Sequence, residues 1–363
     1  MYLDIANILI DINPVYESEL KPLFLPYLTT KTPNYIIKTS LVDQIEDIDE
    51  IPYMQDKNRY FYKQGDDSIF QVKHASGKIK YQITMSKDLK KQAILFVEAL
   101  NKKPSEMIYI LISMCFLEVA THEGFLCLHA SALLLQDEAI LFSAPSKTGK
   151  STHVNHYLDT FKQAKVLNDD KPLIKDGYVY GSPFSGKNMK NINAFYKLKA
   201  ILFIYQSKKT VIHKIDEEIA LKHILKNMLR PSKAVIWDKM IQIIEQVFKT
   251  DIYEAGLTIS KDSMFQTYYY IYKETKMKLK PGFTLKDIGS KTMVIPVDEQ
   301  ALSFNGILTI NKTAKVLFNA LCEDKTIDEL VKILLDKYDV TEDQALKDVI
   351  LFIETLKEKD LLI

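Results

Sequence analysis

The chain has 363 residues, a length that allows two domains or three small ones. Its 47% hydrophobic and 26% charged content fits a folded globular protein. A formal net charge of +1 excludes a global field drawing it to nucleic acid or to an acidic membrane. Arginine is confined to Arg59 and Arg230, so a catalytic guanidinium has few candidates. Cys115, Cys127 and Cys322 show no CxxC or Cys/His spacing. That pattern predicts no zinc site and suits a reducing cytoplasm.

The N-terminus carries Asp4 and Asp11 without a basic region, so it does not read as a signal peptide. Candidate strands follow at Tyr2–Ile10, Tyr35–Thr39, Tyr60–Tyr62, Ile69–His74 and Ile79–Met85. Periodicity predicts helices over 88–101 and 104–121. The apolar run from Met107 to Ala120 is too short to span a membrane, includes Glu118, and reads as a buried helix. Strands are expected at Leu126–Leu135 and Glu138–Ser143, with Gln136-Asp137 as a tight hairpin turn.

The second of these strands runs into Ala144-Pro-Ser-Lys-Thr-Gly-Lys-Ser-Thr152, and a helical stretch, Ser151–Phe161, follows. A loop that cradles phosphates needs inward backbone N–H groups, a helix N-terminus behind them and a lysine for the outer phosphates. Strand, glycine-lysine turn and helix supply all three. Ser146, Lys147, Thr148, Gly149, Lys150, Ser151 and Thr152 are therefore the candidate nucleotide-binding residues, with the Ser151 hydroxyl a ligand for Mg²⁺. Ala144 stands where the full pattern has glycine, which alanine can replace if φ stays negative.

Strands are also expected at Ala164–Leu167, Pro172–Lys175, Tyr178–Tyr180 and Leu198–Tyr205. The segment Lys165-Val-Leu-Asn-Asp-Asp-Lys171 reads as a strand ending in two carboxylates, Asp169 and Asp170. Beside a phosphate loop, such a pair can hold a metal and take the proton of an acceptor hydroxyl. His129 lies inside an apolar strand, and Gly181-Ser-Pro-Phe-Ser-Gly-Lys187 is a second glycine-bearing loop. Residues 217–248 read as helical with an interruption near Pro231, and 251–272 are ambiguous. The lysine-rich stretch 272–281 reads as a linker. Beyond it, strands at Phe283–Ile288, Thr292–Val297 and Leu302–Ile310 precede helices at Thr313–Cys322, Thr326–Tyr338 and Thr341–Lys359. Thr326-Ile-Asp-Glu329 and Thr341-Glu-Asp-Gln344 fit capping boxes.

The order His129, phosphate loop, Asp169-Asp170, Gly181–Lys187 resembles the catalytic core of HPr kinase/phosphorylase, a fold related to phosphoenolpyruvate carboxykinase. It resembles especially the kinase-like proteins of modified-peptide pathways, including those acting on lasso-peptide precursors. The resemblance implies an α/β (α+β) kinase-like core divided as 1–119 and 120–271. It implies ATP and Mg²⁺, Lys150 on the phosphates and Ser151 and Asp170 at the metal. Asp169 would be the base, with the order of the two aspartates open, and His129 would contact phosphate or orient a carboxylate. Lys187 would replace a family arginine, and Arg230 is a further candidate for transition-state charge. The chain departs from that family at Lys147, where the family has glycine, and lacks its glutamate and arginine after the acidic pair, so metal and phosphate contacts must differ.

Leu279-Lys-Pro-Gly-Phe283, Met293-Val-Ile-Pro-Val297 and Gly306-Ile-Leu-Thr-Ile-Asn-Lys-Thr-Ala314, with Leu334–Tyr338 and Leu356–Leu362, resemble the PqqD-like peptide-recognition domain. Residues 282–363 would then form a small winged-helix-like module of three strands and three helices. A leader peptide would dock between its third strand and last helix, along Leu302, Phe304, Ile307, Leu308, Val349 and Phe352. The combined expectation is a cytoplasmic kinase acting on Ser or Thr of a ribosomally made precursor peptide. Other peptide-modifying enzymes or a second copy are possible partners, and nucleic acid and membrane are not expected. A nucleotide hydrolase or chaperone and a pure peptide-binding adaptor remain open alternatives.

Overall fold

The computed structural model describes residues 1–186, 190–231, 234–289, 291–297 and 308–363. They form two compact units. The first unit comprises Met1–Ser151, Lys165–Phe203 and Ile215–Ile252. The second comprises Thr152–Ala164, Ile204–Lys214 and Tyr253–Ile363.

The first unit contains an eight-stranded sheet. Its spatial order is Tyr2–Ile5, Ile8–Asn13, Tyr35–Leu41, Lys91–Phe96, Ile79–Met85, Asp67–Lys73, Arg59–Gln64, Met54–Asp56. The expected strand Tyr2–Ile10 is a hairpin, turned at Ala6 and Asn7 with φ of 53° and 65°. The helix expected over 88–101 is instead the strand Lys91–Phe96, a central member paired on both sides. Gln92, Ile94 and Phe96 are the buried positions, so the burial period is two. The helix Pro104–His122 is long and apolar enough to cross a membrane by composition, but 61% of it is buried within the protein. Ile108, Leu111, Ile112, Cys115 and Phe116 join a core with Phe24, Ile94 and Phe184.

A second sheet runs Lys165–Asn168, Ala130–Leu135, Glu138–Ser143, Phe195–Gln206, Tyr178–Tyr180, Leu173–Lys175, Leu126–Cys127. Gln136 and Asp137, at φ 56° and 57°, make the expected tight turn between antiparallel neighbours. The strand Glu138–Ser143 pairs antiparallel on one side and parallel on the other, so the loop after it starts from the sheet interior. The strand expected over Leu126–Leu135 is broken. Leu126–Cys127 pairs at one edge, and Ala130–Leu135 joins the far side of the sheet. His129 sits at the crossing, its backbone N–H held by the Asn227 carbonyl at 2.8 Å. The helices Glu217–Asn227 and Ala234–Val247 supply Ile224, Met240 and Ile243 to the core of this sheet.

In the second unit, residues 152–160 of the helix Lys150–Thr160 pack with the helix Asp262–Tyr272. His153 Nε2 bonds to Thr267 Oγ1 at 3.0 Å and the Tyr157 hydroxyl to the same oxygen at 2.8 Å. The ambiguous stretch 251–272 resolves into the strand Asp251–Leu257 and this helix. The C-terminal module has three antiparallel strands, Phe283–Ile288, Lys291–Pro296 and Leu308–Ile310; of the strand expected over Leu302–Ile310, residues 302–307 lie outside the described residues. Its helices are Lys312–Ala320, Ile327–Lys337 and Glu342–Glu358. Thr326 and Glu329 form a full capping box, whereas at the last helix only Thr341 caps, accepting from the Gln344 N–H.

Within the stretch 272–281, expected as a linker, Met277 to Lys280 are hydrogen-bonded to the C-terminal module. Met277 bonds reciprocally with Lys325, Lys278 with Ile363, and the Leu279 and Lys280 N–H groups reach Leu321 and Leu361. Met277 and Leu279 are buried, Lys276 is exposed, and Lys278 and Lys280 are half-buried. On the last helix, Glu354 is 2% exposed. Its carboxylate accepts from the Tyr268 hydroxyl and the Gln163 amide, and Lys357 lies 3.5 Å away. The module is thereby bonded into a larger unit rather than carried on a tether.

Candidate functional site

The loop after Glu138–Ser143 has the geometry of a turn closed by its own residues. The Thr148 hydroxyl donates to the Pro145 carbonyl at 2.8 Å. Gly149 has φ of +111° with open space where a Cβ would stand. Its glycine is thus required by backbone conformation and not by crowding. Lys147 also has a positive φ, 70°, which explains why a glycine at that position is the easier residue. Ala144 is buried and is not among the residues with positive φ, so alanine is accommodated there. Ser146, Lys147 and Thr152 are exposed, and Thr148, Gly149 and Ser151 half-buried, around a buried Lys150.

Lys150 opens the helix and turns its ammonium back across the loop. It donates to the Ala144 carbonyl at 2.6 Å and meets His129 Nε2 at 3.0 Å. The other ring nitrogen, Nδ1, lies 2.9 Å from Asp170 Oδ1. An ammonium can only donate, so His129 accepts at Nε2 and its proton sits on Nδ1, donated to the carboxylate. The three side chains form one row: Lys150, His129, Asp170. Burial lowers the Lys150 pKa, while the charges of Asp170 and Asp169 push it back up. Burial acts to raise the Asp170 pKa. The His129 hydrogen bond and the charges of Lys171, His129 and Lys150 outweigh it, leaving the carboxyl below its ordinary value.

Asp169 is oriented differently. It is buried and accepts from the Ser131 hydroxyl at 2.9 Å. Of the two aspartates, Asp170 is the one joined to His129. The turn carrying both is fixed by Asn168, which is fully buried and was not among the expected site residues. Its Oδ1 accepts from the Asp170 and Lys171 N–H groups at 3.0 and 2.7 Å. Its amide donates to the Ser182 carbonyl at 3.0 Å and lies 3.4 Å from that of Phe184. The second glycine loop is therefore clamped to the acidic pair. Gly181 tolerates no side chain, since a Cβ would stand 1.9 Å from the Ile192 carbonyl oxygen. Gly186 lies against the pair, its Cβ position 3.4 Å from Asp170 Cβ. Tyr109 braces the loop from the helix Pro104–His122, donating to the Pro183 carbonyl at 2.7 Å. A signal for Asn168 existed in the Asn-Asp-Asp turn, but its partners at 182 and 184 are remote in sequence.

Lys187 lies outside the described residues. Arg230 is exposed, its Nε donating to the Leu225 carbonyl at 3.2 Å near the end of a helix. Among the described residues, no group of three or more His, Cys, Asp or Glu could hold a metal ion. Of the expected leader-peptide groove, Leu302, Phe304 and Ile307 lie outside the described residues. Leu308 is half-buried on the strand that forms one edge of the module's sheet. Val349 is fully buried and Phe352 nearly so, which places both in the module's interior.

Fold and site together define a mixed α/β protein with a glycine-lysine loop beside a clamped acidic pair, ending in a small strand-helix module. That module matches a known family: residues 294–362 fit the sequence model of coenzyme PQQ synthesis protein D (PqqD). Among solved structures, a lasso peptide synthetase B1 complexed with the leader peptide is similar at 17% identity. The match covers 24% of this chain and 96% of that one, with a TM-score of 0.21. TbiB1 in complex with the TbiA(beta) leader peptide is similar at 18% identity, over 23% of this chain and 93% of that one, with a TM-score of 0.20. No curated protein matches.

Proposed function

We propose that the chain is a leader-guided peptide kinase of HPr-kinase-like type, transferring the γ-phosphoryl group of ATP to a Ser or Thr of a ribosomally made precursor. The observation that carries this reading is the row Lys150–His129–Asp170, set between a glycine-lysine loop and a helix N-terminus. Lys150 would leave the Ala144 carbonyl for the β- and γ-phosphates, where loop N–H groups from Ser146 to Thr152 add to its charge. Freed of Lys150, His129 Nε2 would accept the proton of the acceptor hydroxyl while Asp170 holds the ring and stabilises its charge. Asp169, turned to Ser131, would keep the local potential negative from behind.

Mg²⁺ fits the donor set in a limited way. The Ser151 hydroxyl and Asp170 are hard oxygen ligands of the number magnesium takes from protein when phosphates complete its shell. When bound, the ion neutralises charge on the phosphate oxygens.

The PqqD match and the module's sheet support leader capture. The strands Phe283–Ile288 and Leu308–Ile310 are the two edges of a three-stranded sheet, and an extended peptide can add at such an edge. Capture there raises the effective concentration of the acceptor. Mass spectrometry of a candidate precursor incubated with the chain, ATP and Mg²⁺ tests the proposal. One added phosphate, lost in Lys150→Met and Asp170→Asn, is expected. Release of free phosphate with an unmodified peptide identifies a hydrolase instead, and peptide binding without either identifies an adaptor.

A further inference from the structure

The first unit holds a cavity of about 1540 Å³ whose polar end is the candidate site, since His129, Pro145 and Lys171 belong to its lining. Small-molecule pockets are typically about 300–1,000 Å³, so this one is large for a nucleotide or metabolite alone. Its other end is apolar and built from two elements. The eight-stranded sheet contributes a ladder of aromatic rings. Phe61 stacks on Phe70 at 4.8 Å between centroids, flanked by Tyr53 at 6.4 Å and Tyr81 at 6.2 Å. The helix Pro104–His122 contributes Ile110 and Met114, which are 46% and 36% exposed although most of that helix is buried.

Half-buried aromatic rings with the exposed Tyr53, Ile110 and Met114 line one cavity and leave apolar surface partly uncovered, the kind that marks a binding surface. The charges around it lean to the positive. Lys87 is paired with Asp66 at 3.1 Å, Arg59 lies 4.0 Å from Asp56 and Lys171 lies 3.8 Å from Asp170. Beyond those pairs the lining carries Lys63 and Lys226 with Glu118 as the opposing charge.

We infer that this cavity is the acceptor-segment subsite, and that it takes an extended peptide with large apolar side chains and acidic neighbours around the hydroxyl residue. The inference rests on the kinase reading above, which supplies the reason for a hydroxyl at the His129 end. Apolar side chains lie along the ladder between Tyr53 and Tyr81. The peptide's carboxylates face Lys63 and Lys226. The continuity of the trough with His129 sets which residue is presented for transfer.

The test uses the full chain and two synthetic peptides of equal length with one central serine, one rich in Phe, Leu and Glu, the other in Gln, Gly and Lys. Calorimetry measures peptide binding without nucleotide, and ADP binding is measured separately. The apolar-acidic peptide is expected to bind at least about tenfold more tightly. Tyr53→Ser with Ile110→Ser, and separately Lys63→Glu, are expected to weaken it about tenfold while ADP binding and melting temperature hold. All three positions are exposed, so the fold tolerates these changes. Equal binding of the two peptides, or binding indifferent to the variants, overturns the inference. Failure of the chain to bind ADP in the presence of Mg²⁺ refutes the kinase reading separately, whatever the peptides do.

Discussion

Replacing Asn168 by alanine is expected to loosen the acidic turn and the second glycine loop together. The side chain is fully buried and serves the Asp170 and Lys171 N–H groups on one side and the Ser182 carbonyl on the other. Each of these bonds is worth about 0.5–1.5 kcal/mol net, and each buried group left unpaired adds to the loss. Asp170 and Lys171 are only partly buried, so water partly replaces what they lose. A destabilisation of about 3 kcal/mol follows. Hydrogen exchange is the assay of choice, because it reads the amides of Asp170 and Lys171 directly and needs no two-state unfolding. Their protection should fall by about a hundredfold, while amides in Pro104–His122 change little. Phosphate transfer should fall with it. Unchanged protection at 170 and 171, or a stability loss below about 1 kcal/mol, refutes the idea that Asn168 clamps the site.

Gly149→Ala should lower stability by about 1–3 kcal/mol through backbone strain alone, measured by urea unfolding; since nothing crowds the Cβ position, trimming its neighbours should not restore it. Lys150→Met should change the melting temperature little or raise it, because burial disfavours the ammonium, while ATP binding is lost in calorimetry. His153 is pushed down to about 3, first by burial and then by the neighbouring His156 charge, and stays neutral in the fold. The unfolded chain takes up that proton below about pH 6.5, so stability present above that pH is lost as pH falls toward the folded value. Urea midpoints of His153→Gln should be flatter across that window than those of the parent.

Much of the site was legible because its chemistry is local. The strand Glu138–Ser143, the glycine-lysine turn and the helix after it follow one another in sequence, and each has its own signature. The Asp169-Asp170 turn was visible for the same reason. What was hidden depends on partners far away. Gln92 is a polar residue at a buried position of a central strand, so it erased the alternation that would have marked Lys91–Phe96. The Met277 and Leu279 alternation with lysine is a strand-like pattern, but its partners, Lys325, Leu321, Leu361 and Ile363, are remote in sequence. Leu126–Leu135 reads as one apolar strand because apolarity does not record which edge of a sheet each half joins. That break is what puts His129 between Lys150 and Asp170.

Following the γ-phosphate separates peptide transfer from hydrolysis. ATP labelled at that position is supplied with Mg²⁺ to the full chain, with a precursor peptide that carries its leader and with the same peptide lacking it. Label is expected in the peptide, at a rate at least about tenfold lower when the leader is removed. Label recovered only as inorganic phosphate, or transfer that survives both Lys150→Met and Asp170→Asn, contradicts the kinase reading.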